Sequence, residues 1–169
     1  MRRVLAILGS AVFLLLAPGF VVGVVPWWIS GWRIETPLRS WFPLRIAGGL
    51  LLCAGLAVLL DSFARFAIQG IGTPAPVFPT RHLVVTGLYR YVRNPMYVAV
   101  VAAVTGQGLI FGNVHVLEYA ALAWLVCHLF VIAYEEPTLR ATFGAEYALF
   151  CSAVPRWIPR LSPWRPLSR

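Results

Sequence analysis

Residues 81–97 read RHLVVTGLYRYVRNPMY. Arg81, Arg90 and Arg93 exclude this stretch as a membrane span, yet long apolar blocks flank it on both sides. Asn94-Pro95 is a helix-start signal. An Asn side chain can accept from free backbone N–H groups, and Pro fits the first helical position. The spacing predicts a helix from Pro95, with its positive end beside Arg90 and Arg93. Backbone donors, dipole and guanidinium groups there form a patch suited to a carboxylate or phosphate.

Working outward toward the C-terminus, Val98–Phe111 and Val114–Tyr134 are apolar blocks separated by Gly112-Asn113. So short and uncharged a separator predicts a tight helical hairpin. Glu135-Glu136-Pro137 is expected to end the second arm. In residues 138–153, Leu139, Phe143, Tyr147 and Phe150 recur at helical spacing, which predicts an amphipathic helix lying on the membrane surface. The tail from Val154 is rich in Pro, Arg and Trp, as an interfacial segment would be.

Toward the N-terminus, residues 69–80 hold three prolines and two glycines and are expected to form a loop. Residues 44–68 read as a span in which Gly48, Gly49 and Gly55 permit close helix contact. Asp61 lies inside that span. An ion pair with Arg65, one turn later, is its favoured explanation, although an intramembrane acid is also a candidate for function. Residues 30–43 form a loop with Trp32 and Trp41 at headgroup level. Residues 4–29 form a first, uncleaved span, too long for a signal segment.

The whole chain of 169 residues is 60% hydrophobic and 12% charged, with a mean hydropathy of +0.78. A soluble domain could not hide so much apolar surface. The predicted fold is all-α integral membrane, residues 1–169 as one domain. It has about four transmembrane helices (4–29, 44–68, 95–111, 114–134), the last two forming a C-terminal helical hairpin before the interfacial helix. The net charge of +8 comes with fourteen Arg and no Lys. Nucleic-acid binding is the usual reading of such a charge; here the positive-inside bias accounts for it. Four spans put eleven arginines on the side of both termini and three on the other. Both termini are therefore expected in the cytoplasm, and the protein in a membrane, the inner one in a bacterium.

The hairpin makes the end of 114–134 a neighbour of residues 81–97. An anion-binding patch thus stands beside two carboxylates, an arrangement that suits a zwitterionic ligand. Pairing of Glu135 and Glu136 with Arg90, Arg93 or Arg140 is the simpler reading of each residue alone. His82 is placed to meet a ligand, His115 reads as interfacial, and His128 either lines a pocket or bonds a neighbouring helix. Three His and three Cys, all scattered, predict no metal site, and the cysteines read as packing. No catalytic dyad stands out.

LVVTGLYRYVRNPMY, a hairpin, EEPTLRATFGAEYALF and VPRWIP, in that order, resemble the membrane methyltransferases. These include isoprenylcysteine carboxyl methyltransferases and phospholipid N-methyltransferases. The resemblance covers residues 70–159 and implies S-adenosylmethionine as cofactor, itself a zwitterion. It further implies cofactor contacts from Arg81, His82, Leu83, Val84 and Tyr89, from Asn94, Pro95, Met96 and Tyr97, and from Glu135, which would hold the cofactor amine. The carboxyl methyltransferases commonly carry His where Asn94 stands, a position that Asn fills in other relatives; they also carry Arg where Val131 stands, and that departure speaks against a prenylcysteine carboxylate as acceptor. The implied acceptor is a lipid-like small molecule reached from the bilayer. Competing readings are a non-catalytic protein that binds anionic lipid or a partner, and a membrane reductase of related architecture.

Overall fold

The computed structural model describes residues 9, 12–35, 41–65 and 83–165, and these are helices and connecting segments without a strand. The first two arginines, the 69–80 loop, Arg81 and His82 lie outside the described residues. Four apolar helical stretches follow one another: α1 (Val12–Ser30), α2 (Phe42–Arg65), α3 (Pro95–Phe111) and α4 (Val114–Phe130). The protein is an all-α membrane protein. Seventeen residues give α3 a length of about 25 Å, short for a hydrocarbon core of about 30 Å.

The α2–α3 contact is the closest in the bundle, and glycine makes it possible. A Cβ on Gly48 would meet the Gly106 carbonyl at 2.6 Å, and one on Gly55 would meet the Ala99 carbonyl at 2.7 Å. The two helices are therefore antiparallel and nearly backbone to backbone. Gly49, expected to share this role, faces open space. The α3–α4 turn is closed by Gly112 at φ 69° and by Asn113, whose side chain accepts from Val116 N at 3.1 Å. Asn113 is thus the capping asparagine of the hairpin. Asn94 makes no such cap at the start of α3; Pro95 fills the first helical position there. At the same end of the bundle, Glu35 N donates to the Phe111 carbonyl at 2.7 Å and Trp41 Nε1 to that of Leu109 at 2.8 Å. These bonds fix the loops around the hairpin.

α1 contains a π-helical turn, Phe20–Val24, in which Val25 N reaches back five residues to the Phe20 carbonyl. Pro26 has no N–H, so the Val22 carbonyl four residues earlier loses its helical donor. Gln107 Nε2 donates to that carbonyl at 2.6 Å, and Tyr119 Oη to the Val21 carbonyl at 3.1 Å. In lipid each unmet carbonyl would cost several kcal/mol in the limit, so these two bonds lock α1 onto α3 and α4.

The helix does not stop at Glu135-Glu136-Pro137. After α4 comes a second π-turn, Val131–Glu135, and then α5 (Glu136–Ala153), giving one helical run of 40 residues. Proline near a helix start has no donor to lose, and the wide turn before it takes up the change of hydrogen-bond register. At 1.5 Å per residue such a run would span about 60 Å if straight, twice the hydrocarbon thickness. A break does come at Gly144, whose φ of 50° and ψ of −121° kink α5. The apolar face of α5 is covered by protein: Tyr147 and Phe150, with Val154 just beyond the helix, are buried, and Leu83, Val85 and Trp164 pack on them.

Candidate functional site

The stretch that follows α2 is held from two sides. Arg65 Nε and Nη2 donate to Asp61 at 2.7 and 2.9 Å, the one-turn ion pair expected from spacing. The same guanidinium lies where a Cβ of Gly87 would stand, and Gly87 has a φ of 56°. Only glycine lets the chain pass there. The 3₁₀ turn Gly87–Arg90 then brings Tyr89 inward. Burial pushes the Tyr89 phenol above its usual value; it lies beside Ser62 and stays protonated, able to donate.

On the other side is the C-terminal segment. Arg93 N donates to the Pro155 carbonyl, Arg160 N to that of Tyr91 and Trp164 N to that of Arg90, each at 2.9 Å. Asn94 Nδ2 donates to the Arg156 carbonyl at 3.2 Å, and Arg90 Nε to that of Trp164 at 2.6 Å. Residues 155–164 are therefore a strap across 90–94. Arg90 is committed to the strap, so of the two arginines expected beside the helix start only Arg93 lines the cavity described below. Trp157 Nε1 donates to His128 Nδ1 at 3.0 Å, and Trp124 stacks on that imidazole at 5.1 Å. His128 serves the strap and is not among the residues that line the cavity beside Glu135.

The adjacent glutamates face different surroundings, as a helical offset of about 100° requires. Glu136 receives Arg156 Nε and Nη2 at 2.6 and 3.0 Å and lies 3.1 Å from Arg93 Nη1. The bonds to Glu136 hold the Arg156 guanidinium above its ordinary value. Of the three arginines expected as partners, Arg93 pairs with Glu136, while Arg140, one turn along, forms no ion pair with it. Glu135 accepts from Tyr97 Oη at 2.8 Å, and among the described residues no basic side chain pairs with it.

Glu135 opens instead on a cavity of about 310 Å³. Leu83, Val84 and Tyr89 form one part of its wall; Asn94, Met96 and Tyr97 form another. Pro95 is buried at the start of α3 outside the lining, and Arg81 and His82 lie outside the described residues. Val131, at the position of interest in the resemblance, is 1% exposed and also off the cavity. Arg93 lines the wall; its Nη1 donates to Cys151 Sγ at 2.8 Å, while its buried Nε has no partner among the described residues.

Several wall residues escape a reading of motifs. Cys127 and Phe130 come from α4, Thr138 and Thr142 from α5, and Phe13 and Ala17 from α1. The α5 pair sits on the helix whose apolar periodicity is visible, so its direction was the missing information. For Ala17 no local signal exists. The cavity thus joins a polar end, with a carboxylate that has no basic partner among the described residues, two tyrosines and Arg93, to an apolar end inside the bundle. The polar end can hold an ammonium and an anion together; the apolar end can take hydrocarbon.

A family model described as phospholipid methyltransferase matches residues 44–146, more than half of the chain. The match runs from early in α2 into α5 and includes 83–97 and Glu135; α1 and the strap fall outside it. No curated protein matches the chain.

Proposed function

Since the chain belongs to the phospholipid methyltransferase family, we propose that it transfers a methyl group from S-adenosylmethionine to a lipid-like or otherwise apolar acceptor at the cytoplasmic face of the membrane. The observation that carries this reading is Glu135. It is a carboxylate on the wall of a cavity, with a tyrosine donor and no basic partner among the described residues. A half-buried carboxylate so placed favours a cation beside it. Arg93, a guanidinium on the same wall, supplies the opposite charge. A ligand with an ammonium and a carboxylate answers both, and the residues therefore fit the cofactor.

In this reading Glu135 holds the cofactor ammonium and Tyr97 orients Glu135. Arg93 takes the cofactor carboxylate, with Glu136 and the strap fixing the guanidinium. Leu83, Val84 and Tyr89 pack against the nucleoside, while Asn94, Pro95 and Met96 shape the turn beside it. Arg81 and His82 are assigned to the same site by resemblance. Bound there, the cofactor would supply a methyl group on a sulfonium, already activated for displacement. The protein then has to align the acceptor and keep water out, which the apolar wall does. A thiolate or carboxylate acceptor needs no general base, and an amine must arrive neutral.

Calorimetry in detergent tests the cofactor directly. Saturable S-adenosylmethionine binding near a micromolar Kd, about −8 kcal/mol, is expected, and no binding at millimolar concentration would exclude the reading. A reporter-fusion map tests the face. It should place Gly112-Asn113 and residues 30–41 outside, and Arg90 and Glu146 inside; Arg90 outside would remove the site from cytosolic cofactor.

A further inference from the structure

The apolar end of the cavity is built in part by a helix that the family match does not reach. Phe13, Ala17 and Val21 follow one another at four-residue spacing on α1, so they share one face, and all three line the cavity. Val100 of α3 and Cys127 of α4 line the same cavity. None of these side chains carries a charge, and apart from the weakly polar Cys127 thiol all are hydrocarbon, so this end favours an apolar group.

The register of this face is not free to slide. α1 is pinned by the bonds from Gln107 and Tyr119 to the carbonyls of Val22 and Val21, and its second half packs on α4. On the other side Phe13 stacks on Phe63 of α2 with centroids 6.1 Å apart. Between these anchors sits Ala17, the smallest side chain on the face. A larger side chain at this position would project into the cavity, because the helix that carries it cannot retreat.

We infer that α1 sets the length of the hydrocarbon group that the cavity accepts, with Ala17 as the residue that decides it. The acceptor class is then a molecule that joins its methylatable polar group to a slender, uncharged hydrocarbon portion, the latter lying along α1. This inference rests on the methyltransferase reading for the word acceptor; the geometry of the chamber does not.

Cys127 gives a test that needs no activity. The protein in lipid nanodiscs is treated with n-alkyl methanethiosulfonates from ethyl to octyl, and the mixed disulfides are located by peptide mass spectrometry. Cys53, exposed on α2 and away from the cavity, is the internal control in each spectrum. Native protein should take both reagents at Cys127. Ala17→Phe should lower octyl modification of Cys127, relative to Cys53, by roughly tenfold or more through overfilling, with ethyl modification unchanged. Phe13→Ala should extend acceptance to dodecyl. The inference is overturned if octyl modification ignores Ala17→Phe, if ethyl and octyl fall together, or if Cys127 of native protein never takes octyl. Calorimetry with S-adenosylmethionine runs in parallel: its failure in native protein would sink the enzyme reading while leaving the labelling pattern to stand.

Discussion

The two π-turns of this chain, Phe20–Val24 and Val131–Glu135, are built alike and used differently. Each spans five residues, each ends with a backbone N–H reaching back five residues, and each is followed, after one intervening residue, by a proline. In the first, the carbonyls released by the wide turn and Pro26 are met by Gln107 and Tyr119 from two other helices. In the second, no side chain among the described residues donates to the carbonyls of Ile132 or Ala133, and the turn ends on Glu135 at the cavity wall. A π-turn holds one more residue than an α-turn and so rotates everything after it by about 100°. The first turn uses that rotation to attach a helix. The second uses it to aim one glutamate at the cavity and its neighbour at two arginines.

The hardest blow to this contrast is a one-residue deletion in each turn. Removing Ala133 restores an α-helical register and should swing Glu135 off the wall. Cofactor affinity should drop by more than about a hundredfold, the full value of a charged hydrogen bond. Removing Gly23 should instead lower the thermal midpoint and spare the affinity of the protein that still folds. Equal effects of the two deletions on affinity would erase the distinction.

Next in size is Glu135→Gln, which keeps shape and loses charge. A charge-assisted bond contributes about 1.5–3 kcal/mol, so titration should show affinity falling roughly ten- to hundredfold. Glu136→Gln acts on Arg93 and Arg156 rather than on the ligand, and its loss of affinity should be smaller. Unchanged affinity in both would make the pair surface charges and nothing more.

Gln107→Leu probes the other turn. It leaves the Val22 carbonyl without its donor, and detergent denaturation should show a loss of about 1–3 kcal/mol with cofactor affinity intact. The smallest effect is a coupling. Pro26→Ala returns an N–H that can serve Val22, so Gln107→Leu should be milder in that background. The cycle should show about 0.5–1 kcal/mol of interaction. Strict additivity would mean that Gln107 is not answering the proline.

How far the sequence reveals all this depends on whether the cause is local. Helix α3 runs from Pro95 to Phe111, as its proline start and glycine end predict, and the Asp61–Arg65 pair follows from one-turn spacing. The residues 83–97 reach the cavity because a hairpin must bring its two ends together. Pro137 misleads because a proline marks a helix stop and a helix start equally well, and the π-turn that decides between them has no periodic signature. The strap is invisible for another reason. Its bonds run from backbone to backbone across 62 to 74 residues, so nothing in Pro155 or Trp164 advertises Arg93 or Arg90 as partner. Ala17 is silent because a small residue on an apolar helix announces neither a contact nor a gap.

The strap carries a consequence for the order of events in the cell. A chain grows from its N-terminus, so residues 90–94 and all the apolar helices are made before residues 155–164 exist. During that interval the backbone groups of Tyr91 and Arg93 have no partner from the tail, and Arg93 has no Arg156 beside it at Glu136. A nascent chain can thus enter the bilayer with its helices paired but with the wall of the cavity unfinished. The wall of the cavity is thus completed last, when residues 155–164 close over residues 90–94.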